Sequence, residues 1–214
     1  MNQKNLFIAA LVVLLGGFIV LTLAFTAGKE DEAEQLAAVN QAALVRMHSI
    51  SLGKPDAKVT IVEFFDPACE TCAAFYPLVK EIMAAHPGQI RLVLRYAPFH
   101  QGSDKVVAML EAARKQDKFW PSLEALLKSQ ARWSPHHTPN VDLVWQQLEG
   151  LGLNLEQLAF DMTDPAIAKV IQQDIEDARM LNVSKTPDFF VNGRPLPSFG
   201  VEPLRKLVNE ALAR

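Results

Sequence analysis

Cys69 and Cys72 are the only cysteines of a 214-residue chain and stand two residues apart in the stretch VEFFDPACETCAAFYP, Val62 to Pro77. The thiolate, not the thiol, attacks disulfides, so chemistry at this pair requires one sulfur to ionise near neutral pH. A helix N-terminus provides for that, because its unpaired N–H groups and its macrodipole stabilise negative charge. Cys69, at the start of the helical pattern, is therefore expected to attack, and Cys72, one turn on and more buried, to resolve the mixed disulfide. Zinc usually needs three or four protein ligands. His100, His136 and His137 are the distant candidates, and no spacing brings them to the pair. Copper(I) is soft and suits two thiolates, so it stays open. A purely structural disulfide closing so short a loop would constrain the unfolded chain least.

The flanking elements explain how such a pair would be held. KVTIVEFFD is apolar, β-branched and aromatic, the pattern of a central strand buried on both faces. From Cys69 onward Phe75, Leu78, Val79, Ile82 and Met83 recur with helical period up to the stop at His86-Pro87-Gly88. QIRLVLRYAPF then alternates Ile90, Leu92, Leu94 and Tyr96 against Arg91, Val93 and Arg95, which predicts a second strand with a more exposed face. Strand, helix and strand begin a βαβ unit. From Ser103 to about Leu181 the pattern is helical, broken at WSPHHTPN, GLGLN and TDP, and reads as an α-helical insertion over about residues 101–182. DFFVNGRPLPSF returns to strands around an Asn192-Gly193 hairpin signal, and VEPLRKLVNEALAR closes as an amphipathic helix.

Residues 1–28 read differently. Leu6 to Gly28 carry no charge, which is long enough to cross a bilayer as a helix. Lys4 precedes the run, and Glu30, Asp31, Glu32 and Glu34 outnumber Lys29 after it, which favours a cytoplasmic N-terminus. A cleaved signal peptide is the rival, with Thr22 and Ala24 as a small-x-small site. Both export the remainder to an oxidising compartment. Residues 29–50 form an amphipathic helical linker with Leu36, Val39, Ala43, Leu44 and Met47 on one face, either a stalk or, through residues 33–48, a seam between copies of the chain. Gly53 and Pro55 mark the turn into a globular part over 51–214. Half of the residues are hydrophobic and the net charge is −3, which argues against disorder and against a nucleic-acid partner.

GKPDAKVTIVEFFDPACETC, followed by the helical insertion and then VSKTPDFFVNGRPL, resembles the DsbA-like branch of the thioredoxin superfamily from about Ser51 to the C-terminus. The resemblance implies an α/β thioredoxin-like fold with an α-helical insertion, which the apolar run over residues 6–28 would precede as a transmembrane helix. It further implies a protein thiol–disulfide oxidoreductase in the bacterial inner membrane, facing the periplasm. Such a protein exchanges disulfides with exported proteins and is recycled by a membrane redox partner. It needs no cofactor beyond the Cys69–Cys72 disulfide. Carried over by residue, Glu63 matches the family's acidic strand position. Thr186-Pro187 matches the cis-proline pair that lies beside the cysteines and meets extended substrate by strand addition. Pro77 matches the helix-kinking proline.

Glu63 stands amid apolar neighbours, where an ionised carboxylate is costly, so a raised pKa and a proton-transfer role near Cys72 are expected, unless it reaches solvent at a strand edge. Thr186, if not merely a turn residue, would contact the sulfurs. The chain departs from the family between the cysteines, where oxidases usually carry proline and then histidine or an aromatic residue. Here Glu70-Thr71 are the redox-tuning pair. A carboxylate beside the nascent thiolate opposes ionisation and predicts a weaker oxidant, with oxidase, reductase and isomerase directions open. A periplasmic copper(I)-handling protein on the same fold is the alternative. His100 lies either at the mouth of the site or in a loop held by backbone. His136-His137 are expected in solvent, and Trp120, Trp133 and Trp145 within the insertion.

Overall fold

The computed structural model describes residues 12–22 and 40–214. The elements run β1 (Ile50–Leu52), β2 (Val59–Phe65), α1 (Glu70–Ala85), β3 (Ile90–Tyr96), α2 (Ser103–Arg114), α3 (Phe119–Lys128) and α4 (Gln130–Trp133). A 3-10 turn at Pro135–His137 leads to α5 (Val141–Leu148), α6 (Leu155–Asp161), α7 (Pro165–Met180), β4 (Asp188–Val191), β5 (Arg194–Pro195) and α8 (Val201–Ala213). The sheet order is β1-β3-β2-β4-β5, with β2 parallel to β3 and the other pairs antiparallel. A parallel pair requires a crossover, and α1 supplies it.

β2 lies at the centre, and its alternation sorts two cores. Val59, Ile61 and Phe65 face α1, α8 and the insertion, whereas Val62 and Phe64 pack with Leu44, Val93, Ala178, Val183 and Phe190 on the other side. Glu63 shares the parity of Ile61 and Phe65, which puts it on the α1 face. The turn between β4 and β5 has positive φ at both Asn192 (46°) and Gly193 (83°), the conformation for which the Asn-Gly pair is suited.

Two sequence expectations change here. The face of β3 carrying Arg91, Val93 and Arg95 is not open: Val93 and Arg95 are fully buried and Arg91 is half-buried. The cover is α7 and the segment around Leu44, and the charge of Arg95 is met inside. Its Nε and Nη2 donate to Asp174 Oδ1 at 3.0 and 2.7 Å, Nη2 also donates to Asp177 Oδ2 at 2.6 Å, and Nη1 donates to the Ala43 carbonyl. Arg46 closes on Asp177 through Nε and Nη2 at 2.9 and 2.6 Å, and His48 Nε2 lies 2.6 Å from Asp174. Burial pushes the Asp177 carboxyl up, but the hydrogen bonds from Arg46 and Arg95 outweigh it and hold Asp177 below its ordinary value. The second change is β1, whose first residue, Ile50, closed the expected helical linker and whose other two opened the expected globular part. Three residues are too few to show alternation, and β1 exists because it pairs antiparallel with Leu92–Leu94 of β3.

Residues 12–22 are helical and exposed, and no helix among the described residues is long and apolar enough to cross a membrane. The rest of the predicted anchor over 1–28, and the predicted linker helix and seam up to residue 39, lie outside the described residues. Residues 40–44 are helical, with Ala43 and Leu44 buried against the sheet.

Candidate active site

β2 ends at Phe65, and three residues turn the chain into α1. Asp66 shapes this turn by accepting from the Ala68 N–H through Oδ1 at 2.8 Å, while its carbonyl accepts from the Cys69 N–H at 3.0 Å. Cys69 is the N-cap of α1, with extended φ −78° and ψ 117°, and its carbonyl takes the first helical bond from the Ala73 N–H at 3.2 Å. Cys72 lies in the first helical turn and Pro77 stands inside the same helix.

The two sulfurs differ as position dictates. Cys69 keeps 5% of its surface exposed and Cys72 1%. In its protonated form the Cys69 thiol donates to the Thr186 carbonyl at 3.3 Å, and the Thr186-Pro187 peptide is cis, with Thr186 half-buried and Pro187 buried. Cys69 is drawn down to about 5, chiefly by a hydrogen bond from the Cys72 thiol, which outweighs burial, with further help from the Thr186 side chain and from the N–H groups of Cys72 and Thr71. Burial, and then the bond to Cys69, pushes Cys72 well above an ordinary thiol. One site thus holds a thiolate beside a thiol at neutral pH.

Glu63 does not reach solvent. It is 2% exposed, lies in β2 opposite Leu94 and Phe189, and its Oε2 has no hydrogen-bond partner. Burial first, and the Cys69 charge second, raise its pKa to about 8, so at neutral pH it is mostly a protonated acid. The side chains of Glu70 and Thr71 are exposed on the first turn of α1. Of the two, Thr71 contributes to Cys69 through its backbone N–H.

His136 lies where the sequence reading put it, and His100 and His137 have partners that reading did not name. His100 bonds a carboxylate: its N–H donates to Asp66 Oδ2 at 2.9 Å and its Nδ1 lies 2.7 Å from the same oxygen. Ser103 Oγ donates to Asp66 Oδ1. His136 is exposed, but His137 is not simply solvated, since its ring stacks on His100 with centroids 4.8 Å apart. Asp66, fully buried, escaped the sequence reading. A carboxylate three residues before a reactive cysteine, at the end of an apolar strand, was the available signal. Trp133 is fully buried, and Trp120 and Trp145 are partly buried within the insertion's packing. Among the described residues, no group of three or more His, Cys, Asp or Glu could hold a metal ion.

A five-stranded sheet with a dithiol at the N-terminus of a crossover helix, facing a cis-proline loop, defines a thioredoxin-like fold. The sequence profile described as thioredoxin matches residues 46–210, and the chain belongs to the thioredoxin family. A thioredoxin-like oxidoreductase from Silicibacter pomeroyi superposes with a TM-score of 0.69 at 31% identity, covering 79% of this chain and 95% of that one. The probable disulfide bond formation protein D of Bacillus anthracis is 29% identical over 174 residues, 77% of this chain and 78% of that protein. The Na(+)/H(+) antiporter NhaA of Herminiimonas arsenicoxydans is 31% identical over 144 residues, which is 67% of this chain and 22% of the antiporter. The chain thus spans about a fifth of that relative's length.

Proposed function

We propose that the chain is an exported protein thiol–disulfide oxidoreductase working through Cys69 and Cys72. The observation that carries this reading is the unequal dithiol: an N-cap Cys69 held near 5 beside the Thr186 carbonyl, with Cys72 held protonated behind it. In the oxidising direction a substrate thiolate attacks Cys69 of the Cys69–Cys72 disulfide, forming a mixed disulfide and releasing Cys72 as a thiolate. Glu63, holding a proton with a pKa of about 8, is suited to protonate it. A second substrate thiolate then attacks the substrate-side sulfur of the mixed disulfide, forming the substrate disulfide and expelling the Cys69 thiolate. Two electrons have passed from substrate to the dithiol. Reduction or isomerisation runs the same steps from the Cys69 thiolate. The Thr186-Pro187 loop offers backbone on which extended substrate would pair.

A depressed Cys69 stabilises the reduced form and makes the disulfide more oxidising. The proposed standing is therefore that of an oxidant. Glu70 and Thr71 remain the proposed tuning pair. The proposed setting is the periplasm, reached through the apolar residues 6–28, with exported proteins as substrates and a membrane redox partner. Copper(I) handling is not favoured. Catalysed refolding of a protein with scrambled disulfides, and reduction of insulin, test the reading. Activity that disappears in a folded Cys69→Ser chain supports it, and activity unchanged by that substitution refutes it.

A further inference from the structure

The three residues that lead into α1, Pro67, Ala68 and Cys69, turn their successive carbonyl oxygens toward one short segment of the helical insertion. Gln130, buried at the start of α4, donates from Nε2 to the Pro67 carbonyl at 2.7 Å and to the Cys69 carbonyl at 3.0 Å. His137, seven residues on, has Nδ1 3.4 Å from the Ala68 carbonyl. The segment is braced from behind. Trp133 is fully buried and donates from Nε1 to the Leu126 carbonyl at 2.8 Å. The Ser134 N–H returns to the Gln130 carbonyl at 2.8 Å, and the Asn140 N–H donates to the Trp133 carbonyl at 2.6 Å.

A buried carbonyl needs a donor, and a side-chain amide that serves two carbonyls of one turn fixes the peptide planes between them. Those planes set where the first N–H groups of α1 point. Cys69 depends on them, because the Thr71 and Cys72 N–H groups are donors to its sulfur. We propose that Gln130 is a positioning residue for disulfide exchange: the insertion clasps the redox turn through it and holds Cys69 in the extended N-cap geometry from which its sulfur meets the helix donors. This rests on the exchange reading above and gives the insertion a direct mechanical part in the chemistry.

The experiment measures the pH dependence of Cys69 alkylation in the reduced full chain, with the glutathione redox equilibrium beside it. Neither requires a protein substrate, so absence of exchange activity in the unmodified chain would sink the proposed function and leave the clasp to be judged separately. Gln130→Met removes both donors at nearly constant size. Gln130→Asn is a milder variant that keeps an amide too short to reach both carbonyls, and serves if the first does not fold. Either folded variant should weaken Cys69 as an acid by about fivefold, the equivalent of one ordinary hydrogen bond, and make the disulfide correspondingly less oxidising. Trp133→Phe, which removes a brace but leaves Gln130, should lower stability and leave the alkylation midpoint in place. An unchanged midpoint and equilibrium in folded Gln130 variants, or an equal change in Trp133→Phe, would overturn the proposal.

Discussion

Replacing Glu63 by Gln in the reduced chain should alter how stability depends on pH more than it alters stability at any one pH. The carboxyl has an ordinary value of 4.5 and is raised to about 8 in the fold, so the native state binds a proton that the unfolded state has released. The group therefore favours the fold fully below 4.5, and that contribution is lost as pH rises towards 8. At pH 7 the gap is about 2.5 pH units, or about 3 kcal/mol. Gln has no such titration. The unfolding free energy of Glu63→Gln minus that of the parent should rise by about 3 kcal/mol between pH 4.5 and 7. Working with that difference cancels any constant cost of burying an amide. The assay is denaturant unfolding of the full chain in mild detergent with a reductant, repeated across the pH range. Because burial is the larger cause and the Cys69 charge the smaller, the oxidised chain should show most of the same rise. A difference that stays flat with pH would refute the reasoning, since it would mean that Glu63 is ionised in the fold.

Alkylation of Cys69 in the reduced chain should hold a plateau above about pH 6 and fall about tenfold per pH unit below the midpoint near 5. A midpoint near an ordinary thiol would remove the basis for the unequal pair. Cys72→Ala should arrest exchange at the mixed disulfide and accumulate covalent adducts with exported proteins, seen as bands that a reductant abolishes. Adducts should vanish when Cys69 is also replaced. Asp177→Ala leaves Arg46 and Arg95 without their shared carboxylate, and truncating one member of a buried charged set costs about 3–5 kcal/mol. Denaturant unfolding should show that loss, with the Cys69 alkylation midpoint unmoved in whatever fraction remains folded.

The βαβ start, the insertion, the Asn-Gly hairpin and the closing helix were legible because each carries its own local pattern: an apolar run, a 3.6-residue period, or a turn pair. β3 misled for an equally physical reason. Alternation of Arg91, Val93 and Arg95 with apolar residues looks like an open face, and only the aspartates of α7, nearly 80 residues later, turn that face into an interior. β1 has no pattern of its own and takes its conformation from its neighbour. In the site, Cys69 and Cys72 announce themselves by spacing, and Glu63 by a charge inside an apolar run. Asp66 offered only its place just before the cysteines, and Gln130 offered nothing, because its partners are distant backbone carbonyls that no spacing rule connects.

Arg95 has one more consequence. By joining the Ala43 carbonyl, Asp174 and Asp177 in a knot that also grips Arg46, it leaves no swivel at residues 43–46, the neck of the folded body. The heading of the reactive sulfur, measured from that neck, is a fixed property of the folded body.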